Sequence, residues 1–277
     1  MIEALQFEFM RNALVAGLFA SLICGVIGTF VVVNRLVFLA GGIAHSAYGG
    51  IGLALFLGIP YIIGTLAFSL GAALIMTAVT LKAAHRSDTF IGVLWAVGMA
   101  VGVILTDLTP GYNVDLMSYL FGSILAVPSA EIWWMTALGA AVLILTLVYY
   151  RDLIAISYDP EFASLRGVPV GPLYFLFMAL VAVSIVFIIR VVGLILVIAL
   201  LSIPPYIAEK YARSLGTMMA LAVFFSMIFN VAGLWAAYVF DLSSGPCIIL
   251  AAAAGFFISL AADLMLLRHR KNAFLKG

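Results

Sequence analysis

Charge is what this sequence has least of. Lysine, arginine, aspartate and glutamate together make up 9% of its 277 residues, where about 25% is ordinary for a soluble domain. Thirteen basic and twelve acidic side chains cannot give a chain of this length a polar shell. A soluble enzyme, a nucleic-acid binder and a disordered scaffold are excluded together. The formal net charge of +1 leaves no field to steer an acidic or polyanionic partner. Cysteine is nearly absent: Cys24 and Cys247 lie far apart in apolar tracts, which excludes a disulfide framework and a Cys-x-x-Cys metal site. No long polar segment is present, so chemistry that needs a soluble domain must come from another chain. A cleavable signal is not evident either. The first apolar tract has Glu3 and Glu8 ahead of it rather than a basic region, and reads as a retained span.

What is present is apolar: 66% of the residues are hydrophobic. Charge-free tracts run over 12–34, 36–81, 89–106, 132–150, 167–189, 191–208, 214–240 and 242–262. A crossing needs about 20 apolar residues as a helix. The tract 36–81 contains Gly58-Ile59-Pro60, a turn signal, and so holds two spans, the first of them short, irregular or re-entrant. The expectation is an all-α polytopic helical bundle with about eight or nine transmembrane helices, one membrane domain over 1–277. The tracts are apolar throughout, without the alternation of a membrane barrel.

Basic residues fix the orientation. They gather at Arg35, Lys82/Arg86, Arg151/Arg166, Lys210/Arg213 and Arg268/Arg270/Lys271/Lys276, whereas 107–115 and 241–246 have none. Putting the first group in the cytoplasm leaves only Arg11 and Arg190 outside. An odd number of crossings then places the N-terminus outside and the C-terminus inside. Segment 116–127 is too short to span and reads as a short helix or re-entrant piece on the outer side. Gly98-x-x-x-Gly102 allows two helices to approach closely.

Three interior features carry information. In 41–50, Gly-Gly-Ile-Ala-His-Ser-Ala-Tyr-Gly-Gly, His45 is the one histidine well inside an apolar stretch. A polar ring at that depth faces protein or a water-filled path, and imidazole is the commonest metal ligand. His45 is therefore either hydrogen-bonded to a neighbouring helix or part of a pathway lined also by Gly41 and Ser46. In 193–208, Pro204 and Pro205 remove two amide donors and release carbonyls near 200 and 201. This is either a kink or a broken helix lining a cavity. In 151–170, Asp159 can cap a short helix with Pro160 at its first position, Glu161 near its positive end and Gly167 as its stop. Phe162 and Leu165 cannot both hide in so small a loop, which suggests either docking to something cytoplasmic or an interfacial turn.

Taken together, these residues resemble the permease subunit of ATP-binding-cassette importers for zinc, manganese and iron. The resemblance covers nearly all of 12–267. Its most specific piece is 114–127, Val-Asp-Leu-Met-Ser-Tyr-Leu-Phe-Gly-Ser-Ile-Leu-Ala-Val, close to the zinc-permease pattern. Others are Ala44-His45, Ser87-Asp88-Thr89-x-Ile91-Gly92, Asp159-x-x-x-Ala163-x-x-x-Gly167, Gly193-x-x-Leu196-x-x-x-Leu200-x-x-x-Pro204 and Asp241-x-x-x-Gly245-Pro246. The resemblance implies a multi-pass protein of a prokaryotic cell membrane, working as a homodimer in lipid. Two cytoplasmic ATPase subunits would grip the helix near 159–167 through Asp159, Glu161, Phe162, Ala163 and Gly167. An extracytoplasmic metal-binding protein would deliver the ion. No cofactor would be bound permanently: the metal is cargo, and ATP belongs to the partner. His45 is the first candidate for the metal path, with Asp241 and Asp115 near its outer entrance or acting as loop caps. Many family members carry an aspartate four residues before this histidine, where this chain has Gly41. Glu209 likewise stands where the family usually has small residues. Fewer carboxylates favour zinc over manganese or iron.

The subunit is not expected to be an enzyme. Gly-x-x-x-x-Gly-Lys-[Ser/Thr] occurs nowhere in it. The competing readings are a permease for a metal chelate or vitamin, an ion-coupled secondary transporter, and an intramembrane hydrolase pairing His45 with Ser243 or Ser244. The span centres are nearly bare of the carboxylates that coupling uses, and no nucleophile motif frames either serine.

Overall fold

The computed structural model describes residues 6–82, 87–110, 122 and 124–274. Among them it is helical, and nine helices are long and apolar enough to cross a membrane. In chain order these are α1 (Glu8–Val33), α2 (Val37–Leu57), α3 (Tyr61–Lys82), α4 (Ser87–Asp107), α5 (Ser129–Val148), α8 (Val170–Val192), α9 (Leu194–Tyr211), α10 (Leu215–Phe240) and α11 (Ser244–Phe274). Between α5 and α8 lie two short helices, α6 (Tyr150–Tyr158) and α7 (Pro160–Leu165). A single 3-10 turn, Ile124–Ala126, precedes α5. It is the part of the expected 116–127 piece that falls mainly among the described residues. Asp115 lies outside them.

The turn signal at Gly58-Ile59-Pro60 divides the longest tract as expected. Gly58 ends α2 in the left-handed region, at φ 66°, and α3 begins after Pro60. The expected irregular or re-entrant first span is corrected. Val37–Leu57 is a regular helix of 21 residues. Its many glycines do not break it because neighbouring helices pack closely against them.

Side-chain bonds tie helix ends together on both sides of the bundle. At one side, Asn12 of α1 donates to the Val127 carbonyl ahead of α5 at 3.3 Å, and Arg190 of α8 pairs with Glu131 of α5 at 2.5 Å. At the other, Asn34 after α1 donates to Ser157 of α6 at 2.9 Å, and Lys210 of α9 pairs with Asp263 of α11 at 2.6 Å. The Arg190 pairing gives a basic residue on the sparsely basic side a carboxylate partner, so it does not conflict with the charge rule.

Two packed groups make the bundle. In one, α2 packs mainly on α4 and α3. In the other, α1 packs mainly on α10, α9 and α5, with α11 against α10 and α9. Helix α8 joins them by touching α3, α2 and α1. A continuous core of buried side chains runs through both, from Ala13 of α1 to Ile248 of α11. In lipid there is little hydrophobic force between helices, so close packing and buried polar contacts hold such a bundle. Hydroxyls inside the spans are largely returned to their own helix. Ser21, Thr29 and Thr77 donate to carbonyls four residues back at 2.6–2.7 Å.

Helices α8 and α9 meet at one residue, Gly193, with φ 86°. That value favours glycine, because a Cβ there would crowd the backbone. Helix α9 then runs unbroken through Pro204 and Pro205. Of the two alternatives at this pair, the broken helix is not what the structure shows. Both prolines are buried, and the Leu201 carbonyl released by Pro205 packs against Gly28 of α1. A Cβ on Gly28 would come within 2.6 Å of that oxygen and 2.9 Å of the Pro205 ring. The absent side chain on α1 is what lets the irregular face of α9 seat without opening a cavity.

Candidate functional site

The site is built on the contact between α2 and α4, the most extensive in the molecule. Glycines set its spacing. A Cβ on Gly49 would meet the Gly98 carbonyl at 2.7 Å, and one on Gly52 would collide with the Gly102 backbone. The expected close approach at Gly98-x-x-x-Gly102 is thus present, and its partner is α2. This fixes the helices in register and brings Trp95 of α4 level with His45 of α2.

The two rings stack. Their centroids are 4.0 Å apart and their planes 17° from parallel. Gly41, one turn before His45, faces the same indole, and a Cβ there would lie 3.5 Å from Trp95 Cζ3. Phe38, one turn earlier again, meets the other part of Trp95 at 5.9 Å between ring centroids. Phe38, Gly41 and His45 therefore share one face of α2, and Trp95 packs against it.

His45 Nδ1 is buried and has no hydrogen-bond partner among the described residues. The alternative of a histidine tied by that nitrogen to a neighbouring helix is not what the structure shows. An unpaired imidazole nitrogen inside a membrane protein is costly unless something else supplies a partner. Ser46, the next residue, is buried. Its hydroxyl donates to the Gly42 carbonyl at 2.7 Å, so it is already satisfied within α2. Ser46 also borders an apolar cavity of 360 Å³ between α2, α3 and α4, lined by Ala67, Phe68, Gly71, Leu94 and Gly98 among others.

The other candidates lie elsewhere. Asp241 is exposed and caps the end of α10 in the left-handed region, at φ 53°. This is the loop-cap alternative for that residue. Pro204 and Pro205 sit in the packing of α9 on α1. No group of three or more His, Cys, Asp or Glu side chains that could hold a metal exists among the described residues. The arrangement offers one bare imidazole, suited to brief contact with a passing cation rather than to a closed site, which takes about four ligands for zinc.

Between α6 and α8 the short helix forms as the residues predict. The Phe162 amide donates to Asp159 Oδ1 at 2.9 Å, Pro160 takes the first position, and Gly167 follows the helix at φ 82°. One residue is corrected. Ala163 was named with Asp159, Glu161, Phe162 and Gly167 among the residues an ATPase would grip. It is instead fully buried against Ile156 and Leu173, because its small side chain lets α7 lie close on α6 and α8. The surface turned outward is Phe162, 53% exposed, and Leu165, 87% exposed, with Glu161 beside them. Helix α6, which supports this surface, was not anticipated.

Two residues escaped the sequence reading. Trp95 looked like any lipid-facing or core aromatic, and nothing in the sequence pairs it with His45. Asn230 had a signal: an amide in the middle of the charge-free tract 214–240. It is 1% exposed, and its Nδ2 donates to Ser21 Oγ at 2.6 Å and to the Ser226 carbonyl at 3.1 Å.

Comparison with known proteins agrees with this architecture. The model of the ABC 3 transport family matches residues 6–263. An uncharacterized membrane protein of Synechocystis sp. is 51% identical over 94% of this chain and 93% of its own length. The manganese import system permease protein ScaB of Streptococcus parasanguinis is 33% identical over 96% of this chain and 94% of its own. Among solved structures, PsaBC from Streptococcus pneumoniae in complex with Fab superposes with a TM-score of 0.83 at 34% identity, covering 93% of each chain. The nine spans, the full-length match and the shared fold make one conclusion: this chain belongs to the ABC 3 transport family, as the non-catalytic, multi-pass membrane permease subunit of an ABC transporter.

Proposed function

We propose that this permease imports a divalent transition metal, manganese first, and that His45 touches the ion on its way through the membrane. The observation that carries the path is the buried, unpartnered Nδ1 of His45 at the middle of α2. A neutral imidazole there offers a lone pair to a cation, and nothing among the described residues bonds to it. For the cargo, similarity along nearly the whole chain to a permease named for manganese import outweighs the argument for zinc. That argument rested on the missing carboxylate at Gly41 and on the likeness of 114–127 to the zinc-permease pattern. Zinc and iron remain the comparison ions in the test.

In this reading the subunit works as a homodimer, with an ATPase on its cytoplasmic side and a metal-binding protein on its outer side. The exposed edge of Phe162 and Leu165, with Asp159, Glu161 and Gly167 around it, is the surface the ATPase would hold. Motion there passes to the spans through Ala163, which seats α7 on α6 and α8. The test is uptake of manganese, zinc and iron by cells carrying the permease with its ATPase and binding protein, for wild type and His45→Ala. Manganese uptake that falls at least tenfold in the variant supports the reading. Uptake equal to wild type removes His45 from the path, and ATPase-independent or absent uptake of all three ions sinks metal import.

A further inference from the structure

The stack of Trp95 on His45 is a built feature. Three separate elements place it. The glycine contacts of α2 with α4 set the height of Trp95, Gly41 faces its ring at van der Waals distance, and Phe38 supports it from the side. The stack also uses the face of the imidazole and leaves its edge, with Nδ1, uncommitted.

We propose that Trp95 is a positioning residue for the metal contact at His45. It holds the imidazole by its face in the orientation that presents Nδ1, and its ring stabilises the charge that arrives there. This rests on the reading of His45 as a metal contact. A neutral imidazole gains modestly from stacking on an indole. Once Nδ1 takes up a cation, the imidazole carries part of its charge, and the electron-rich indole face attracts it more strongly. The contact therefore favours the metal-bound state over the empty one. Because the indole has no lone pair to give, it strengthens the site without adding a ligand that would trap the ion.

The test uses full-length permease in lipid nanodiscs, titrated with Mn²⁺ and with Zn²⁺. Trp133, Trp134 and Trp235 are the other tryptophans, and replacing all three by phenylalanine leaves Trp95 as the reporter. The expected result is a saturable change in Trp95 emission, with quenching by paramagnetic Mn²⁺, that disappears in His45→Ala. Calorimetry with the native tryptophans should show the dissociation constant rising about threefold in Trp95→Phe, which keeps a face, and about tenfold in Trp95→Ala. Trp95→Leu, which fills space without a ring, should lose about as much as Trp95→Ala, and a merely space-filling role would instead make it resemble Trp95→Phe. Wild-type affinity in Trp95→Ala overturns the proposal, as does silent Trp95 emission alongside His45-dependent binding. Wild-type affinity in His45→Ala overturns the underlying reading instead, which keeps the two failures distinguishable.

Discussion

The two halves of this bundle handle polar groups differently. Around α1, α9 and α10 polar groups bond within and between helices, although Ser226 Oγ and Asn230 Oδ1 have no partner among the described residues. Ser21 and Thr29 bond back to their own helix, Asn230 links α10 to α1 through Ser21, and the carbonyl released at Pro205 is pressed against Gly28. Between α2 and α4 the backbones come just as close, but the polar ring at the centre is held by its face and its nitrogen is left bare. The same device, glycine against backbone, serves stiffness in one half and exposure of a ligand in the other. The difference is what occupies the face beside the glycines: aliphatic side chains and an amide clasp on α1, an aromatic stack on α2.

That contrast can be broken at its strongest point first. In Gly52→Leu the new side chain must push against the Gly102 backbone, and α2 and α4 must separate or slide. Overpacking of this kind costs about 1–3 kcal/mol, and it also spoils the level of Trp95 with His45. Metal uptake should fall more than tenfold, with a lower melting temperature in lipid nanodiscs. Unchanged uptake would show that the register of α2 on α4 is not needed. A smaller effect is expected in the other half. Asn230→Ala removes the clasp to Ser21, and interhelical hydrogen bonds in membranes are worth about 0.6–1.7 kcal/mol. Thermal stability should drop by that order while uptake stays within about twofold, and loss of uptake without loss of stability would move Asn230 into the pathway. The smallest effect belongs to Thr29→Val, where the hydroxyl lost is bonded only within α1. Its change in stability should stay under about 0.5 kcal/mol, and a drop as large as that of Asn230→Ala would erase the distinction between bonds within and between helices.

Much of the architecture could be read from residue order because lipid is an unforgiving solvent. A backbone crossing it must satisfy its own hydrogen bonds, so each charge-free tract of sufficient length became a helix. The one long tract divided at Gly58-Ile59-Pro60, and the cap at Asp159 and stop at Gly167 are equally local. The errors came where local rules were extended to packing. The two adjacent prolines left a kink or a break open, and the helix continues, with Gly28 of another helix against the freed carbonyl. Ala163 was counted among the residues an ATPase would grip, but a small residue on a short helix is where the bundle comes closest. Which helices the glycines of 41–50 would seat, α4 and α3, was not legible either.

The sequence by itself determined that this protein lives in a membrane, that it crosses about eight or nine times, where its short helix after Asp159 begins and ends, and that His45 is a polar ring set deep in an apolar span. These follow from solvent and from neighbours along the chain. Only the tertiary structure decided what His45 faces. The pairing of residue 45 with residue 95, the contact of Gly41 with the same indole and the inward turn of Ala163 all depend on which helix lies beside which. In a bundle where every span is apolar, hydrophobic pattern cannot choose among partners, and steric fit between glycine-lined faces makes the choice.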